Sequence, residues 1–253
     1  MHRTVGVIMG LALSPMAARA DTIDEVIAKH VAARGGAEAL KAISSVTYKG
    51  RFRPAGFDAD FIYSETIARG GRVRMNFTLQ GLTVVQSYDG QSGWQIMPFQ
   101  GRKDPENLST DDVKALQEEA DFEGALVDYK AKGATVEDLG VKDVDGAPAR
   151  ALRVQLKNGD TQTWYLDPDA WLAVRVSTRT RQRGVESVTD TDFGDYEKVA
   201  GVYFPFEQES GPQGSTHRQR ITLEQVVVNG PVDEHQFSLP AAPAKSQTTG
   251  ASK

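Results

Sequence analysis

Asp190, Asp192 and Asp195 crowd one short segment of this chain. Asp190-Thr191-Asp192 puts two carboxylates on one face of a strand, because side chains at i and i+2 point the same way. Paired acids can exchange protons with a substrate or hold a hard cation. On the wet face of a strand they more commonly meet water. Four histidines, His2, His30, His217 and His235, are the other candidates. They lie far apart and show no H-x-x-x-H spacing, so a metal site could come from them only through folding. No G-x-S-x-G elbow, P-loop or G-x-G-x-x-G fingerprint is present. Gly90-Gln91-Ser92-Gly93 falls where a hairpin turn accounts for it. The chain has no cysteine, which excludes a thiolate nucleophile, a thiolate metal site and a disulfide. The expectation is a protein that is not an enzyme and holds no metal or cofactor. An enzyme using His217 or the Asp190/Asp192 pair stands as an alternative.

The elements that would position such groups are mostly strands. Val73, Met75, Phe77 and Leu79 alternate with Arg72, Arg74, Asn76, Thr78 and Gln80, which predicts one apolar and one wet face. Leu82 to Tyr88 follows, then Asp89-Gly90 and Trp94 to Met97, a hairpin signal. Strands are also expected over 46–52 and 60–68, and again as 152–156, 161–166, 171–178, 185–193, 203–208 and 217–228. Tight turns such as Asn158-Gly159 separate them. About eleven strands with turns every ten residues or so indicate an antiparallel meander rather than parallel strands with crossover helices.

Helices interrupt this pattern twice. Thr22-Ile23-Asp24-Glu25 is a capping box opening a helix, with Ile23, Val26, Ile27, His30 and Val31 on one stripe, and Gly35-Gly36 ends it. A short helix is expected over 37–42. Ser109 to Lys132 predicts one or two helices, with Ser109 as a cap, lying over the sheet as a lid or as plain cover.

The termini bound the location. Met1-His2-Arg3, the apolar run Val5 to Leu13 and Ala18-Arg19-Ala20 predict a cleaved export signal over 1–20, the run being short for a bilayer span. Without Arg3 and Arg19 the chain keeps 27 basic residues against 34 acidic, a formal charge of −7. That balance, without basic blocks, argues against nucleic acid as a partner. Asp21 stands where a lipoprotein needs cysteine, so a soluble periplasmic protein is expected. Residues 21–239 read as one domain and 240–253 as a disordered tail.

Phe61, Tyr63, Met75, Phe77, Tyr88, Trp94, Trp164, Trp171, Phe204 and Phe206 lie on the apolar alternation. They could be ordinary core. A large curved sheet can instead enclose a cavity, and methionine and aromatic side chains suit an adaptable apolar ligand.

Tyr88-Asp89-Gly90-Gln91-Ser92-Gly93-Trp94 resembles the Y-D-G-x-x-x-W hairpin of LolA-like proteins, the outer-membrane lipoprotein-sorting superfamily. Trp164-Tyr165-Leu166-Asp167-Pro168 with Leu172, the run from Phe193 to Pro205, and Val226-Asn229 with Asp233 and Phe237 are similar to later segments of the same family. The resemblance covers residues 25–240. It implies a mainly β fold: an incomplete, about eleven-stranded β-barrel covered by helices over a hydrophobic cavity. It also implies a carrier that binds the acyl chains of a lipid or lipoprotein for transport towards the outer membrane. Such a carrier would be a monomer that meets inner- and outer-membrane donor and acceptor proteins. The cavity lining is expected to include Phe61, Tyr63, Val73, Met75, Phe77, Leu79, Trp94, Ile96, Trp164 and Phe204. The family's lid-latching arginine has no assigned position. A sensor or assembly factor that binds a partner protein remains the alternative, because fold does not fix function.

Overall fold

In a computed structural model, residues 21–182 and 184–240 are described. The expected signal over 1–20 lies outside them, as does the expected tail apart from Pro240. Helix α1 (Ile23–Ala33) opens with the capping box: the Thr22 hydroxyl accepts from the Glu25 amide at 3.3 Å, and the Glu25 carboxylate accepts from the Thr22 amide at 2.6 Å. The short α2 (Ala37–Lys41) follows.

The chain then forms β1 (Ser45–Arg53), β2 (Phe61–Ala68), β3 (Arg72–Leu79), β4 (Leu82–Tyr88), β5 (Gly93–Met97) and β6 (Arg102–Asn107). Helix α3 (Thr110–Glu119) interrupts, with the Ser109 hydroxyl accepting from the Asp112 amide at 3.3 Å. Seven strands follow: β7 (Thr135–Val144), β8 (Ala147–Gln155), β9 (Thr161–Leu166), β10 (Ala173–Gln182), β11 (Val185–Val199), β12 (Val202–Pro212) and β13 (Gln219–Val228). All thirteen join one curved, unclosed antiparallel sheet, ordered β6-β5-β4-β3-β2-β1-β13-β12-β11-β10-β9-β8-β7.

This order dictates the cover. β1 to β6 step outward to one edge, and β7 to β13 step back from the other until β13 pairs with β1. The connection over 108–134 must therefore cross from edge to edge, and it does so over the inner face. Leu116 and Ala120 pack on Ile67, Val73 and Tyr88, whereas Ala125 and Leu126 pack on Leu152, Val154 and Leu166. α1 shares that second cluster through Val26 and Ile27, and Leu40 of α2 packs on Val46, Phe204 and Leu223.

Among the described residues the sheet has thirteen strands, against about eleven expected. The additions, β6 and β7, are the two edges, and their charged or Pro-containing sequences blunt an edge but hide the period-two signal. One helix lies within 109–132, within the expected one or two: the chain leaves helical geometry after Ala120 and turns through Gly124 at φ +84°.

Candidate functional site

The inner face and its helices enclose a cavity of ≈ 1680 Å³, above the usual range for small-ligand sites. Strand register composes its walls. Phe52 pairs with Phe61, Gly50 with Tyr63, Tyr48 with Glu65, and Val46 with Ile67. Across the next ladder Tyr63 faces Phe77 and Glu65 faces Met75. The half over β1–β5 is thus aromatic and aliphatic, with the Phe52 and Phe77 rings 4.8 Å apart and those of Tyr63 and Phe77 5.4 Å apart. The half over β9–β13 carries Gln162, Thr178, Thr189, Thr191, Gln208 and Ser210 beside Trp164, Phe193 and Phe204. Phe57 and Phe99, about half exposed, pack on Phe61 with centroids 6.1 and 5.7 Å away and form an aromatic rim.

Of the residues singled out from sequence, Phe61, Tyr63, Met75, Phe77, Leu79, Trp164 and Phe204 stand on the cavity wall. Val73 shares the face of Met75 but lies beneath α3, packed among Ile67, Tyr88, Leu116 and Ala120. Trp94 and Ile96 are on the opposite face and line no part of the cavity. Their partners show why: Trp94 pairs with Ser87 and Ile96 with Val85, which in turn pair with the outward-facing Arg74 and Asn76. The C-terminal segment covers Trp94 there. Its indole donates to the Phe237 carbonyl at 2.6 Å, the Ser87 hydroxyl donates to the same carbonyl at 3.1 Å, and Arg74 donates to that of Gln236 at 2.7 Å.

Asp190 and Asp192 are committed to structure. Asp190 is buried and accepts from the Ser177 hydroxyl at 2.5 Å. Asp192 pairs with Arg175 and with Arg218, the latter at 2.7 Å. Asp195 is exposed at a positive φ. His217 and His235 are exposed. Among the described residues no group of three His, Asp or Glu is placed to hold a metal ion.

His30 is only 1% exposed and forms part of the cavity boundary. Its Nδ1 lies 2.8 Å from the Trp171 carbonyl oxygen, so Nδ1 carries the proton and Nε2 presents a lone pair with no partner. Burial holds its pKa down to about 4, so the ring is neutral at pH 7. The loop supplying that carbonyl was expected to be strand; Trp171 instead sits at φ +59°, ahead of β10.

Sequence reasoning missed three groups. Arg34, just past α1, is buried and donates to the carbonyls of Glu123 and, at 3.1 Å, Phe122. It ties α1 to the segment leaving α3. Glu65 is 3% exposed on the inner face of β2, where the Tyr63 hydroxyl donates to its Oε2 at 2.7 Å. Glu119, the last residue of α3, lies within hydrogen-bonding reach of Glu65. Glu119 keeps accessible surface, but that surface faces the cavity. Burial raises both carboxyls above the ordinary range, Glu65 strongly, and their mutual repulsion raises Glu65 further. The signal for Glu65 was visible: Phe61, Tyr63, Glu65 and Ile67 form one apolar alternation with an acid in its third place.

In fold, the chain is similar to a putative outer membrane lipoprotein-sorting protein domain from Vibrio parahaemolyticus (TM-score 0.55, 12% identity, 84% of this chain and 94% of that one). A LolA superfamily protein from Nitrosomonas europaea (0.55, 11%, 87% and 98%) and a DUF1329 family protein from Desulfovibrio piger ATCC 29098 (0.56, 11%, 87% and 98%) match equally well. No family model and no curated protein matches the chain in sequence. The likeness is one of fold: an open, curved antiparallel sheet with helices over its inner face.

Proposed function

We propose that this chain is an exported periplasmic carrier that shelters the acyl chains of a lipid or lipoprotein on the way to the outer membrane, without bond-making. The observation that carries this reading is the ≈ 1680 Å³ cavity with its aromatic and aliphatic wall over β1–β5. Moving a lipid through water exposes hydrocarbon at about 0.8 kcal/mol per methylene, so a carrier needs an interior that replaces the bilayer. Phe52, Phe61, Met75, Phe77 and Leu79 supply such an interior. The rim at Phe57 and Phe99 gives the chains a place to enter, and gives membrane-bound donor and acceptor proteins a place to meet the carrier.

Native mass spectrometry of the mature protein, gently purified from its own periplasm, tests the reading. A bound lipid or acylated peptide, recovered by organic extraction and lost in Phe77→Asp, is the expected result. A clean apo mass with no uptake of added phospholipid or fatty-acyl probe sinks it, in favour of a partner-binding role.

A further inference from the structure

The largely apolar half of the cavity holds a buried acid, Glu65. Glu65 sits between Tyr48 on β1 and Met75 on β3, flanked along its own strand by Tyr63 and Ile67. Glu119 reaches it from the end of α3. No described lysine, arginine or histidine forms an ion pair with either carboxyl. Glu65 Oε1 is buried without a protein donor. Burial favours a proton on each carboxyl, and repulsion from Glu119 adds to this at Glu65. The C-terminal end of α3 adds its own negative dipole. Any negative charge that the pair keeps is unfavourable in this apolar wall unless a cation neutralises it.

We propose that the Glu65/Glu119 pair is the recognition station for a protonated amine carried by the cavity's amphiphilic cargo. An alkylammonium has the matching charge and N–H groups for both carboxyls. The surrounding rings favour a cation as well, because aromatic faces attract positive charge. Tyr48, Tyr63, Phe77 and Phe122 all line the same cavity. A divalent metal suits the place poorly: calcium wants six to eight oxygens, and the pair with Tyr63 offers fewer. This inference rests on the carrier reading, and it names the charge of the cargo.

The test is calorimetric binding of dodecylamine, dodecanol and dodecanoate to the full mature chain at pH 7, below micelle formation. Dodecylamine is expected to bind at least about tenfold more tightly than the other two, as a charge-assisted hydrogen bond implies. Glu65→Gln and Glu119→Gln should each erase that preference while dodecanol binding persists, which shows that the fold and cavity survive. Equal binding of all three ligands, preference for dodecanoate, or an amine preference that survives Glu65→Gln overturns the inference and leaves the carrier reading intact. No binding of any of the three, with Phe77→Asp behaving as the parent, overturns both.

Discussion

The backbone of Gly124 lies against the indole of Trp164, so closely that a Cβ at 124 would stand 2.7 Å from ring carbon Cη2. Gly124 also has φ +84°, where an L side chain is strained. The turn that carries the chain from α3 towards β7 depends on both facts. Gly124→Ala should cost about 2–4 kcal/mol, from left-handed strain plus overpacking. Urea unfolding of the two proteins measures it. A loss under about 0.5 kcal/mol, the range of an ordinary surface change, would show that the turn adapts freely.

Arg34 binds the same segment from the other side. Arg34→Met keeps much of the side-chain length but leaves the Phe122 and Glu123 carbonyls without their donor. An unpaired buried acceptor costs about 1–3 kcal/mol. Hydrogen exchange should quicken over 110–134 and stay unchanged in β10–β12. Uniform quickening would mean that Arg34 supports the whole fold rather than the cover.

His30 makes stability depend on pH. The unfolded histidine takes a proton near pH 6.5, whereas the buried ring does so only near 4. The unfolded state therefore binds more protons between those values, and stability falls as pH drops through that window. The loss is on the order of 3 kcal/mol. In His30→Asn, whose amide can still donate to the Trp171 carbonyl, the fall between pH 7 and 4.5 should be shallower than in the parent. Parallel curves would place the acid sensitivity elsewhere.

Glu65 works in the opposite sense. Its carboxyl is raised, so the folded state keeps a proton that the unfolded state releases above about 4.5. That stability is present in acid and is lost as pH rises. Glu65→Gln, whose amide can still accept from Tyr63, should melt higher than the parent at pH 8, with the gap closing towards pH 5. A variant less stable at pH 8 would mean that a cation neutralises the pair in the folded protein.

Trp94 and Phe77 should separate outer from inner face. Trp94→Phe removes the 2.6 Å bond to the Phe237 carbonyl and should loosen residues 233–239 to proteolysis without altering uptake of a fatty-acyl probe. Phe77→Asp should do the reverse. Loss of uptake in Trp94→Phe would show that the C-terminal segment props the cavity open.

Residues near in sequence decided much of this protein. Period-two alternation, turn pairs such as Asp145-Gly146 and the caps at Thr22 and Ser109 are local, so strands β1–β5 and β8–β13 and the starts of α1 and α3 were legible. The edges were not. Arg102–Asn107 has four charged residues and a proline, and Thr135–Val144 alternates weakly, because an edge strand is selected for what it repels. The face of β5 was also hidden. Alternation says that Trp94 and Ile96 point one way but not which way, and here the segment around Phe237 covers the outer face too. Only the tertiary structure brought Glu119 to Glu65 and Arg34 to Phe122. Each pairing joins residues more than fifty positions apart, and it exists because the chain must cross from one sheet edge to the other over the inner face.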